Sequence, residues 1–251
     1  MLRVPPSAAE KGRSGALQAS VLLGEISFYH GEKIMQLFER YRPQRFDDVA
    51  GQDAAIAQVK RLLRKGWGGR AWWLVGPSGS GKTTIARIIA QQGCDALSIQ
   101  ELDSQNLTPA AVRECVESYR CRSLFGNGGK AFIVNEAHGL RRDTIRELLT
   151  ALEPAGGLPS HIVWIFTTTD KGEIKLFADD DDAGNADALL SRCDCVKLNR
   201  NDSAFASRAR KIAQEEGIDG KCITAYDVLA NECDGNMRRM LQRIEAETVD
   251  A

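Results

Sequence analysis

The sequence predicts an α/β fold, a parallel sheet flanked by helices and followed by a small helical lid. Three observations lead there. Apolar runs of strand length at Trp72–Val75, Phe132–Val134 and Ile162–Phe166 are separated by amphipathic helical patterns. The first run passes through a glycine-rich turn straight into a helix. From about Asp202 the strand-like runs stop, and three helix-length segments follow, punctuated by Gly217 and Gly235. The expected organisation is an irregular tail over 1–34, a core over 35–200 and a helical lid over 201–251.

The chain has 251 residues, enough for one large domain or a core with a small second domain. Lys and Arg number 33 against 34 Asp and Glu, a net charge of −1, which excludes a strongly basic nucleic-acid protein but leaves local basic patches open. The seven cysteines are odd in number and show no C-x-x-C pair. They read as reduced thiols of a cytoplasmic protein. A zinc pair at Cys115 and Cys121 lacks histidines at useful spacing. No apolar run approaches the length of a membrane span, so no membrane partner is expected.

The stretch Leu74 to Thr84 carries the chemistry. Gly76, Pro77, Ser78, Gly79, Ser80, Gly81, Lys82 and Thr83 fit G-x-x-x-x-G-K-[ST], and Thr84 continues into a helix with Ile85, Ile88 and Ile89 on one face. Small residues let the backbone curl so that successive N–H groups point at one anion. The helix N-terminus adds favourable partial charge. Lys82 is expected to reach the β- and γ-phosphates of ATP, and the Thr83 hydroxyl to bind Mg²⁺. A glycine turn without nucleotide is the bland alternative.

Taken in order, residues 1 to about 33 read as irregular, with Pro5, Pro6, Gly12 and Gly15. A targeting peptide is one reading of this tail. Another is that Met35 is the natural start. Next comes Tyr41-Arg42-Pro43, then Phe46-Asp47-Asp48-Val49 and Gly51-Gln52, with Asp53 as N-cap of a helix carrying Ile56, Val59, Leu62 and Leu63. This segment, about thirty residues before a phosphate loop, resembles the start of the clamp-loader ATPases of the AAA+ superfamily. These are the replication factor C small subunits and the gamma/tau subunit of bacterial DNA polymerase III. The resemblance implies that Arg42, Pro43, Val49 and Gln52 lie near the nucleotide base; read alone, Phe46 and Val49 are core residues.

A short strand is expected at Leu97–Ile99, and a helix from Thr108-Pro109 to about Tyr119. The family's four-cysteine zinc module is not present. Phe132 to Val134 reads as a buried strand ending in Asn135-Glu136-Ala137-His138, which resembles a Walker B motif. One acidic group there would hold the Mg²⁺ shell and another would orient the attacking water. Glu136 matches the second role. Asn135 stands where the family has Asp, so it can reach the metal shell only as an uncharged acceptor. This departure bears on hydrolysis more than on binding. His138 matches the His of a D-E-x-H pattern or is structural.

The helix over Arg142–Glu153 is amphipathic. In the family this region faces a central channel, where Arg141, Arg142 and Arg146 could meet DNA phosphates; solvated charges are the alternative. After the strand Ile162–Phe166, the resemblance places a sensor-1 residue at Thr169. The acidic run Ala178–Asn185 reads as a solvated loop insertion, with a second Mg²⁺ site as the sharper alternative. Ser191-Arg192-Cys193 matches the family's Ser-Arg-Cys motif, and the resemblance makes Arg192 a finger presented to ATP in a neighbouring subunit. Gly235 to Leu241 resembles sensor 2, with Arg238 pointing back at the nucleotide. In the family a helical collar follows this segment, and none is expected here.

These motifs imply an AAA+ ATPase resembling a clamp-loader subunit, binding and hydrolysing ATP with Mg²⁺ in DNA replication or repair. Its expected partners are other AAA+ subunits in a head-to-tail ring, together with DNA and a sliding clamp. An ATP-binding assembly subunit with little hydrolysis is the second reading, resting on Asn135 and the missing collar. An ATP switch in another AAA+ pathway is the third.

Overall fold

The computed structural model describes residues 35–124, 127–153, 157–170, 180–219 and 222–247. Residues Gln36–Ala251 make one compact unit. The sequence expectations for residues 1–34 lie outside the described residues.

The described strands are β1 (Arg70–Val75), β2 (Ile99–Asp103), β3 (Lys130–Asn135), β4 (Ile162–Thr168) and β5 (Cys193–Lys197). They form one parallel sheet in the order β2-β3-β4-β1-β5. Parallel strands covered on both faces read as continuous apolar runs, which is why β1, β3 and β4 were visible in the sequence. Their side chains alternate between two cores, as the period of two demands. Trp73, Phe132, Trp164 and Phe166 face one layer. Trp72, Leu74, Ile133 and Ile165 face the other.

The first layer is covered by α4 (Pro109–Glu117), α5 (Arg142–Leu152) and α6 (Asp180–Ser191). Its aromatic side chains stack, with ring centroids of Phe132 and Trp164 4.7 Å apart, and the Trp164 indole N–H donates to Tyr119 Oη at 2.6 Å. The second layer takes α2 (Asp53–Leu63) and α3 (Lys82–Gln91). The lid is α7 (Asp202–Glu215), α8 (Ile223–Glu232) and α9 (Met237–Glu247), with its own core around Phe205, Ile212, Tyr226 and Met240. Leu37 of a short first helix, α1 (Leu37–Arg40), is buried in that lid core. Arg40 is 2.6 Å from Glu216, and the Tyr41 hydroxyl donates to the same carboxylate. From the lid at residues 37–40 the chain therefore crosses to the sheet along residues 41–51.

Several boundaries differ from the sequence expectations. The second strand begins at Ile99, where the expected one ends, and residues 96–98 form a 3₁₀ turn capped by Asp95. Gln52, not Asp53, precedes α2, and Asp53 is its first residue. A carboxylate there is favoured by the helix dipole. The acidic run is not wholly a loop: from Asp180 it is helical and leads into Ala186 and Leu189, which are buried in the first layer. Residues 178 and 179 lie outside the described residues.

Candidate active site

The phosphate loop spans Gly76–Gly81, between the end of β1 and the start of α3. The chain leaves β1 and crosses β4 and β3 to reach β2, so the strand order reverses beside this loop. Open α/β sheets place their ligands at such a point. Gly79 and Gly81 have φ of 75° and 98°, a region that other residues enter only at a cost. At Gly79 a side chain would also run into Asn236, whose amide donates to Ser78 Oγ at 3.4 Å. The lid thus closes directly on the loop.

Lys82 is buried, with 7% of its surface exposed. Its ammonium donates to the carbonyls of Gly76 at 2.9 Å and Pro77 at 2.8 Å. Burial pushes its pKa below the usual lysine range, with the nearby Glu136 and Asp170 carboxylates opposing. Ser80 Oγ is buried without a partner among the described residues.

The end of β3 meets this loop. Thr83 Oγ1 donates to Asn135 Oδ1 at 3.2 Å, and Thr167 Oγ1 donates to the same oxygen at 3.2 Å. Glu136 follows with φ of 53°, in the left-handed region. Its carbonyl accepts from Ser104 Oγ at 2.6 Å and from Gly139 N at 2.8 Å, which holds that turn. Its side chain lines the cleft. His138 Nδ1 lies 3.2 Å from Thr168 Oγ1 and 3.5 Å from Glu136 Oε2, so it bridges the β3 and β4 ends. Thr169, the expected sensor 1, directly follows β4 and is half-buried.

The cleft runs from the phosphate loop to the crossing segment, and Arg42, Pro43 and Val49 line it. Gln52 does not line it. Its amide donates to Asn199 O at 2.7 Å and Ser80 O at 3.3 Å and accepts from Asn199 N at 3.1 Å, so it ties α2, the loop and the end of β5 together. This is a supporting role in place of the base contact expected for it. Arg238, in the first turn of α9, lines the cleft with its guanidinium 5.3 Å from the centre of the Phe38 ring.

Arg192 is not brought to this cleft. It precedes β5, whose first residue, Cys193, pairs with Ala71 at the start of β1. The phosphate loop leaves the other end of β1. Arg192 Nη2 donates to Glu153 at 2.8 Å and Nη1 to Ala188 O at 2.7 Å, while Nε is buried without a partner among the described residues. Arg141, Arg142 and Arg146 are exposed on and beside α5. Cys115 is buried, which raises its thiol pKa to about 11, and Cys121 is exposed. Among the described residues no cluster of three metal-ligating side chains is found.

The residues present fit a nucleotide with Mg²⁺. The orphaned Ser80 hydroxyl and an ammonium folded back on loop carbonyls are donors suited to an anion. Thr83 and Asn135 set two oxygens side by side at the loop's helix end, the donor type a hard cation takes. Their weakness is charge: neither is anionic.

Sequence reading gives no individual role to Thr167, Ser104, Asn236, Phe38 and Arg208. The threonine run 167–169 signals a polar strand end, but only the register shows which hydroxyl reaches Asn135. Ser104 acts through a backbone contact that no motif encodes, and Asn236, inside the segment that resembles sensor 2, acts through a loop contact that the resemblance does not assign. Phe38 and Arg208 look like ordinary helix residues in sequence.

Residues 72–176 match the family model described as the ATPase family associated with various cellular activities (AAA). The chain is 25% identical to the DNA polymerase III subunit tau of Bacillus subtilis, over 83% of this chain and 38% of that protein. It is 26% identical to the replication factor C small subunit of Haloarcula marismortui, over 84% of this chain and 62% of that protein. It thus spans less than two thirds of either relative. Among solved structures, the Thermotoga maritima RuvB Holliday junction branch migration motor shares the fold, with a TM-score of 0.61 at 19% identity, covering 82% of this chain and 64% of that one. Residues 72–176 thus match the AAA family model, and the chain is similar to DNA polymerase III tau and replication factor C subunits, the clamp-loader group that its Tyr41–Gln52 and Ser191–Cys193 segments resemble.

Proposed function

We propose that the chain is an ATPase module of a clamp-loader-type assembly, binding ATP with Mg²⁺ and hydrolysing it at a site shared with a neighbouring subunit. The observation that carries this reading is the convergence of the phosphate loop, Glu136 after β3 and Arg238 on one cleft, with Asn135 bonded to Thr83 of the loop helix and to Thr167 of β4 beside it. The loop N–H groups and Lys82 hold the phosphates. Thr83 and Asn135 face the metal position, where Mg²⁺ would supply charge neutralisation on the β- and γ-phosphate oxygens. Glu136 orients the attacking water, and its turn, held by Ser104, fixes the direction of the carboxylate. Thr169 and Arg238 sense the γ-phosphate, while Val49 and its neighbours receive the base.

Arg192 supports the shared-site part of this reading by lying at the far end of the sheet from its own loop. A finger in that position serves the next subunit in a head-to-tail arrangement. In the assembly its fork would exchange Glu153 for a neighbour's phosphate. The proposed partners are other AAA+ subunits, DNA and a sliding clamp. A cytoplasmic location is part of the same proposal; no helix among the described residues is long and apolar enough to cross a membrane.

A second reading is an assembly subunit that binds ATP and hydrolyses it poorly. The Asn135 amide favours it, because it gives the metal shell no negative charge. Steady-state hydrolysis against a Lys82→Ala blank separates the two. Turnover above the blank supports the ATPase. ATP binding and ATP-driven association without turnover support the assembly subunit. Capture of a sliding clamp separates clamp loading from another AAA+ pathway.

A further inference from the structure

The cleft holds a cation that none of the motifs uses. Arg208, on α7, lines it together with Arg42, Lys82 and Arg238. The other three are engaged: Lys82 with loop carbonyls, Arg42 with Glu39, and Arg238 with the Phe38 ring. Arg208 has no hydrogen bond or ion pair among the described residues. A guanidinium with no partner, facing a cleft walled by Phe205, Ile212 and Leu241, is a donor kept for something that enters the cleft.

Its position along the cleft follows from helix geometry. Residues four apart lie in a row on one helix face. Ala204, Arg208, Ile212 and Glu216 form such a row on α7. At its start, Ala204 Cβ lies 3.0 Å from where a side chain on Gly51 would begin. At its end, Glu216 accepts from the Tyr41 hydroxyl. The row therefore runs along residues 41–51 in the opposite direction, and Arg208 faces the middle of that segment. There Asp48, Val49 and Ala50 line the cleft. The phosphate loop is met by another part of the lid, at Asn236.

We propose that Arg208 is a specificity-determining residue that donates to the acceptor edge of a purine base. This rests on the nucleotide reading of the cleft. A guanidinium has donors only, so it suits the ring nitrogens of a purine and, best, the paired O6 and N7 of guanine. Lysine would not replace the planar fork.

The test is calorimetric titration of the full chain with ATP, ADP and GTP in the presence of Mg²⁺. Arg208→Ala is expected to weaken ATP and ADP by the same factor, about tenfold for a charge-assisted hydrogen bond, and GTP by more. Arg208→Lys should recover less GTP affinity than ATP affinity. Thermal unfolding of both variants checks that the lid is intact, and Arg208→Gln serves if the alanine variant is not folded. A loss that grows from ADP to ATP would mean a phosphate contact and overturns the proposal. So does unchanged affinity in a folded variant, with the nucleotide reading left standing. If the unaltered protein binds none of the three, the nucleotide reading fails and this inference with it.

Discussion

Thr83 donates its hydroxyl to the Asn135 amide oxygen at 3.2 Å, joining the first turn of α3 to the end of β3. The pair marks the metal side of the cleft and is also its weak point. Asn135→Asp keeps the shape and acceptor oxygen and adds a negative charge where a cation would be held. Turnover is expected to rise by about tenfold, a barrier change of ~1.4 kcal/mol. Initial-rate assays at saturating ATP and Mg²⁺ check this. An unchanged rate would show that Asn135 does not limit hydrolysis.

Lys82 gives a pH signature. Burial lowers its pKa from 10.5 in the free protein, and a phosphate beside it would raise that value again. Between the two values the complex holds more protons than the free protein. Affinity for ATP is therefore expected to fall as pH rises through the lowered pKa, at less alkaline pH than an ordinary lysine would give. Titrations across the alkaline range test this. Lys82→Arg should flatten whatever dependence remains, since arginine keeps its charge there.

Arg192→Ala should leave ATP binding by the isolated chain intact and lower turnover in the assembled protein by about 10³-fold, the scale of a trans-acting arginine. Mixing Lys82→Ala with Arg192→Ala subunits provides the control, because only interfaces that pair an intact loop with an intact arginine should fire. Unchanged turnover in an assembled Arg192→Ala protein would dismiss the shared site.

Gly79→Ala places a side chain against Asn236 at a backbone with φ of 75°. It is expected to cost about 1–3 kcal/mol of stability and to weaken nucleotide binding as the lid is pushed off the loop. Denaturant unfolding and ATP titration read the two effects separately.

Much of this was legible in the sequence, for identifiable reasons. The phosphate loop and the ends of β1, β3 and β4 are local patterns: apolar runs buried on both faces, each followed by small or polar residues. Strand β2 was placed too early because it is an edge strand with only Ile99 and Leu102 partly inward. Its apolar signal is too thin to fix a start. The acidic run looked like a loop because charge dominates its composition, while Ala186 and Leu189 further on carry the helical packing. Gln52 looked like a base contact but is occupied with backbone partners 28 and 147 residues away, a relation no local pattern contains. Arg208 could not be singled out, since an arginine on a helix is normally a solvated charge and only the closure of the lid puts it in the cleft.

The most direct test of the central claim is steady-state ATP hydrolysis by the purified chain, with and without primed DNA, against Lys82→Ala. Turnover above the blank, rising when primed DNA is added, is the predicted result. ATP bound tightly by the assembled protein, with no turnover above the blank under either condition, would contradict the account of an ATPase and leave the assembly-subunit reading in its place.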